Sequence, residues 1–253
     1  MIVVSGTGRS GTSMWMQALG AGGVSVLGDA FPLDWKHTFA DANVNGFFES
    51  SLWNGINSST NPDPASGALI TAEQSRDVAA KVFLPGLARS HREYLDRVIV
   101  SLRDWRAFEQ SRLRADVIYG RAADHNTVHQ RVWRWWHEVT VGVTDIVRRG
   151  YPCRVVDYDA VLADPEGQMR PILEWLHVDV DVDAALSVVQ PSLRTHAHSP
   201  TPDVPAVWVD ALDEVQESLR EGPLTPALAR RIAVLNRVVL QAKAHVPKSG
   251  WRQ

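Results

Sequence analysis

The chain has 253 residues, 45% hydrophobic and 22% charged, a globular balance that excludes intrinsic disorder, a collagen-like repeat and a coiled coil. With 26 Lys plus Arg against 29 Asp plus Glu the formal net charge is -3, so no global basic field points to nucleic acid or an anionic membrane, and any anion site has to be local. The lone cysteine, Cys153, excludes an intrachain disulfide and a thiolate metal cage.

The opening run Met1-Ile2-Val3-Val4-Ser5-Gly6 has no positive n-region and reads as a short buried strand rather than a secretory leader. Two further β-branched runs, at 97–101 and 154–157, read the same way. Helical patterns are predicted at 13–19, 73–80, 105–115, 126–149, 165–176 and 226–244. Strands alternating with helices predict an α/β fold, a three-layer, mainly parallel sheet with helices on both faces, in one domain over 1–253. Irregular stretches at 29–71 and 189–207 are expected to be loops that carry function. No run approaches the roughly 18–20 apolar residues that span a bilayer, so a cytoplasmic protein is expected. The ten tryptophans are expected mainly in the core, with an aromatic-lined acceptor cleft as the alternative.

The strongest signal is Gly6-Thr7-Gly8-Arg9-Ser10-Gly11-Thr12-Ser13, between a predicted strand and a predicted helix. Glycines let such a turn aim backbone N–H groups inward, and the helix N-terminus adds unsatisfied donors, so a phosphate or sulfate fits there. Ser10, Thr12 and Ser13 add hydroxyls. The spacing from Gly6 to Gly11 copies the nucleotide-binding P-loop, but Thr12 stands where that motif needs Lys and a cation comes earlier, as Arg9.

G-x-x-R-S-G-T-[ST] after an N-terminal strand resembles the phosphosulfate-binding loop of sulfotransferases, closest to small bacterial and tyrosylprotein-type members. The resemblance implies a P-loop-like nucleotide site, with 3′-phosphoadenosine 5′-phosphosulfate (PAPS) as donor and no metal required. Gly8, Arg9, Ser10, Gly11, Thr12 and Ser13 would hold its 5′ end, with Arg9 on the leaving phosphate. Arg103, at the end of the second strand, and Ser111, eight residues later on a helix, resemble the family's 3′-phosphate clasp. An arginine at the carboxyl end of a parallel strand lies where α/β proteins bind ligands, and its fork suits phosphate. Tyr158, in a stretch similar to the family's Y-E-x-L-x-x-x-P, falls where some members place a tyrosine beside the adenine. Pro191-Ser192-Leu193-Arg194-Thr195 resembles the loop that closes over the nucleotide, Arg194 and Thr195 being its phosphate contacts. The resemblance runs from residue 2 to about 195, and the last fifty residues add no signal.

Sulfuryl transfer needs cations on the leaving group and a base on the acceptor. Arg9 is one cation; Lys81, in Ala80-Lys81-Val82-Phe83-Leu84-Pro85, resembles the lysine of the family's Lys-Asp-Pro segment, although Asp-Pro is missing here. For the base, Asn45-Gly46-Phe47-Phe48-Glu49 looks like the family's N-x-x-G-[FY]-[FW]-E segment and favours Glu49, with Asp29 and His37 as the other candidates. The acceptor is a small molecule, a glycan or a peptide.

His125 and His129 have metal-compatible spacing but no third ligand nearby. Asp179, Asp181 and Asp183 alternate with Val and read as an extended segment. Arg131, Trp133, Arg134, Trp135 and Trp136 read as core tryptophans with solvated arginines rather than a nucleic-acid surface. Two other functions stay open: an ATP-dependent P-loop kinase and a non-catalytic nucleotide-binding module.

Overall fold

A computed structural model describes residues 1–32, 35–38, 43, 45–121, 126–193 and 199–246. Its centre is strand β1 (Ile2–Gly6), buried along its whole length. On one side β1 pairs with β3 (Val78–Lys81), which pairs with β2 (Ser25–Leu27). On the other side it pairs with β4 (Arg97–Leu102), which pairs with β5 (Cys153–Asp157). The sheet is five-stranded in the order β2-β3-β1-β4-β5, and every pairing is parallel.

Alternation along the strands sorts the core onto two faces. Ile2, Val4, Ala79 and Ile99 meet Trp15, Met16 and Leu19 of helix α1 (Thr12–Ala21), together with Met169, Leu173 and Leu176 further along the chain. Met1, Val3, Val98 and Val100 face the other way, onto Trp105 and Phe108 of α4 (Trp105–Ile118) and Trp135 and Trp136 of α5 (Val128–Arg149). Helices therefore cover both faces, as the alternation of elements implies. Among the described residues no helix is long and apolar enough to cross a membrane.

The caps that delimit these helices are local. Asp104 accepts from the N–H groups of Arg106 and Ala107 at the start of α4, and Thr127 and Gln130 form a reciprocal capping box on α5. Short helices α2 (Trp35–Thr38) and α3 (Leu84–Arg89) flank β3 in sequence. After β5 come α6 (Tyr158–Ala163), α7 (Pro165–Trp175), α8 (Val182–Ser187), α9 (Ala206–Glu221) and α10 (Pro226–His245).

Three expectations are corrected. Residues 73–80 are not a helix: 73–77 are turns and 78–81 are β3, because a place inside the sheet overrides the helix propensity of Ala79 and Ala80. Asp179, Asp181 and Asp183 do not share an extended segment: Asp181 caps α8, accepting from Ala184 N–H at 2.9 Å, and Asp183 pairs with Arg170. Arg131 is not solvated but buried, its guanidinium 2.6 Å from the Glu109 carboxylate. His125 lies outside the described residues, and His129 packs on Trp208.

Removing one partner of the Arg131–Glu109 pair strands a buried charge. Glu109→Ala is expected to lower unfolding stability by about 3–5 kcal/mol, and Glu109→Leu with Arg131→Met to recover most of it; urea denaturation of the three proteins checks both.

Candidate functional site

The connection leaving β1 runs through α1 toward β2, while the one leaving β4 runs through α4 and α5 toward β5. The two adjacent strands thus feed connections in opposite directions, and the crevice beyond their carboxyl ends is where open α/β sheets bind ligands. A cavity of about 700 Å³ lies there, lined by Gly8, Arg9, Gly11, Thr12 and Ser13 after β1 and by Arg103 after β4.

The turn after β1 is built around the sheet. Ser101 Oγ donates to the Ser10 carbonyl at 2.5 Å, and Arg103 Nη1 donates to the Arg9 carbonyl at 2.9 Å, so β4 holds the turn from beside it. Gly11 sits at φ 89°, and a Cβ there would stand 2.4 Å from Cδ2 of Tyr158. The Tyr158 ring thus occupies the space that only glycine leaves open. Arg103, itself buried, lies over the same ring with its guanidinium carbon 5.1 Å from the centroid. Trp135 Nε1 donates to the Arg103 carbonyl at 3.2 Å and fixes the strand end from behind.

Arg9 adopts a left-handed backbone, φ 73°, unusual for a side chain of that size. Its Nε donates to Ser111 Oγ at 3.2 Å, so the first motif and the second meet through this contact. Ser111 is buried and does not line the cavity; it positions Arg9. The Ser10 hydroxyl turns inward in the same way, donating to the Thr7 carbonyl at 2.7 Å, which shapes the turn.

Across the crevice stands Lys81, the last residue of β3, with its side chain only 2% exposed. Its ammonium donates to Ser13 Oγ at 3.0 Å and to the Phe47 carbonyl, and lies 3.6 Å from Glu49 Oε1. Glu49 is brought there by a second close approach. Asp29 and Glu49 form an antiparallel bridge, and Gly28, at φ 105°, lets the backbones touch where a Cβ would stand 2.8 Å from the Glu49 carbonyl carbon. Phe47, between Phe31 and Trp35 in edge-on contacts, anchors the same segment.

Glu49 lines the cavity together with Lys81 and Arg9. Asp29, although beside it in the backbone bridge, faces a second, adjoining cavity, and His37 lines neither. Arg194 and Thr195 lie outside the described residues. Sequence reasoning missed Arg112 and Arg114 on α4, Arg121 after it and Arg134 on α5, all of which line the cavity. The signal for the first two was their place directly after Ser111; Arg121 and Arg134 carried none. With Arg9, Lys81 and Arg103 the four arginines make, among the described residues, seven cations against two lining carboxylates, Glu49 and Glu138, in a chain of net charge -3. Burial lowers the pKa of both Arg9 and Arg112, and Arg134 adds to the effect on Arg112. The arrangement is a local positive well that suits a ligand with several negative charges. No protein-family model and no curated protein matches the chain.

Burial pushes Lys81 down from the ordinary 10.5 to about 8, against the opposing pull of Glu49. The unfolded chain keeps this proton up to about 10.5, so between about 8 and 10.5 the unfolded state binds more protons and this group's contribution to folding stability rises with pH. Anion binding has the opposite sign: it favours the ammonium, so affinity falls as pH rises through about 8 and binding there takes up a proton. Calorimetric titration of inorganic pyrophosphate near pH 8.5, in buffers of different ionisation enthalpy, is expected to show that uptake in the wild type and to lose it in Lys81→Met.

Proposed function

We propose that the chain is a sulfotransferase that moves a sulfuryl group from PAPS to a hydroxyl or amine acceptor. One observation carries the reading. At the crevice between β1 and β4, the Arg9 turn, the Arg103 strand end and the Lys81–Glu49 pair line one positive cavity. The lining residues fit the donor: a glycine turn at a helix N-terminus suits its 5′ end, arginine forks suit its 3′-phosphate, and Tyr158 beside Arg103 offers a ring to its base.

When bound, the donor supplies a sulfuryl group already activated by a 5′-phosphate leaving group, and the small charge on that moving group lessens the need for a metal ion. The chain's residues do the rest. Arg9 and Lys81 stabilise the negative charge that builds on the leaving oxygen. Arg103 and Arg112 hold the 3′ end, while Ser111 holds Arg9 in place. Glu49, 3.6 Å from the Lys81 ammonium, takes the proton of the acceptor hydroxyl or amine as its oxygen or nitrogen attacks sulfur. A kinase of the P-loop type would need lysine where this chain has Thr12, a buried residue in the first turn of α1.

Calorimetry in EDTA is expected to show 3′-phosphoadenosine 5′-phosphate binding at least tenfold tighter than ADP, with Arg103→Ala removing that preference of about 1.4 kcal/mol. ATP binding equally well, or binding only with magnesium, would overturn the reading in favour of a kinase. Glu49→Gln is expected to keep nucleotide affinity while lowering the transfer rate by about 10²–10⁴-fold; a rate indifferent to this change would remove Glu49 as the base.

A further inference from the structure

A second cavity, of about 710 Å³, opens on the other side of Glu49 and shares Glu49, Trp35 and Trp53 with the first. Its chemistry is the reverse of its neighbour's. The walls are mainly apolar, with Leu27, Leu52, Trp53, Leu69 and Ile70 among them. Its titratable lining groups, among the described residues, are Asp29, Glu49 and Asp63, with no Lys, Arg or His. Two large apolar side chains of this lining are held out toward solvent, Trp53 at 45% and Leu69 at 60% exposure. Isolated exposed apolar residues need no explanation, but two at one concave apolar site mark a binding surface.

The wall that carries Leu69 is preformed. The Asn61 side chain donates to the Ile70 carbonyl at 2.8 Å and accepts from the Ile70 N–H at 3.1 Å, closing the 61–70 loop at its base. Asp63 N–H donates to the Ala68 carbonyl at 2.8 Å, and Asp63 Oδ1 accepts from the N–H groups of Ala65 and Ser66 and from the Ser66 hydroxyl. Hydrogen bonds from Ser51 and Ser66 hold the Asp63 carboxyl at about 2, so it stays ionised at neutral pH. A site whose walls stand ready loses little entropy in ordering them when a ligand enters.

We propose that this second cavity is the acceptor site and that it selects small apolar alcohols or amines bearing no negative charge. The inference rests on the transferase reading and gives its substrate class. An acceptor seated against Trp53 and Leu69 presents its hydroxyl or amine to Glu49, the carboxylate that, among the described residues, lines both cavities. The attacking O–H or N–H proton passes to the Glu49 carboxylate as the bond to sulfur forms and the bond from sulfur to the leaving 5′-phosphate oxygen breaks. The carboxylates of Asp29 and Asp63 repel an anionic acceptor and tolerate or attract a cationic one.

Three phenols of similar size separate charge from shape: 4-ethylphenol, tyramine and 4-hydroxyphenylacetate. Each is titrated into the full chain by ligand-observed NMR, alone and with 3′-phosphoadenosine 5′-phosphate present. 4-Ethylphenol and tyramine are expected to bind at least tenfold tighter than 4-hydroxyphenylacetate. Leu69→Arg, a change at an exposed position that leaves the core intact, is expected to shrink or reverse that order. Equal affinity for all three phenols, no binding of any, or an order unmoved by Leu69→Arg overturns the acceptor assignment even where the nucleotide binds. Phenols that bind as expected to a protein that takes no 3′-phosphorylated nucleotide overturn the transferase reading instead, and with it the acceptor role.

Discussion

The arrangement of the site depends on one buried ammonium. Lys81 ends β3 inside the protein, where a charge without partners is costly, and three groups from two separate parts of the chain converge on it: Ser13 from the first turn of α1, and the Phe47 carbonyl and Glu49 carboxylate from one short segment. That convergence ties the 45–49 segment to the glycine turn, so the carboxylate and the turn are held in fixed relation. The short bridge between Asp29 and Glu49 and the close backbone contact at Gly28 complete the attachment from the other side.

From this junction the protein divides its charge. Among the described residues one cavity gathers seven cations and the next gathers carboxylates, and Glu49, beside Lys81, lines both together with Trp35 and Trp53. A modest net charge conceals both. Bulk composition therefore says little about such a protein's surface chemistry, because neighbouring fields of opposite sign cancel in the sum while acting separately where they stand.

What the sequence made legible follows from how local each signal is. β1, β4 and β5 are runs of β-branched residues, and the turn from Gly6 to Gly11 is a contiguous pattern, so they could be read directly. Arg103 was visible because it follows a strand. β3 was not, since Ala79 and Ala80 favour a helix by themselves and become a strand through pairing with β1 and β2. The contacts of Ser10 and Ser111 were also hidden, because a hydroxyl looks the same in sequence whether it bonds the backbone of its own turn, as Ser10 does, or an arginine from a distant one, as Ser111 does. Arg112, Arg114, Arg121 and Arg134 converge only when α4 and α5 are packed together, and no spacing rule brings those helices into one lining.

The stretch beyond residue 200, silent as sequence, has a definite place in this economy of contacts. Gln216 of α9 accepts from the Trp105 N–H and donates to Asp104, both at 2.9 Å, while Asp213 takes the Trp105 indole N–H and both terminal nitrogens of Arg106. These bonds clamp the first turn of α4, immediately after Arg103. A shortened chain ending at α8 would keep the glycine turn, Arg103 and Ser111 and still lose the brace on the first turn of α4. Neither Asp213 nor Gln216 lines the first cavity, so the tail shapes that cavity at one remove, through the helix it braces.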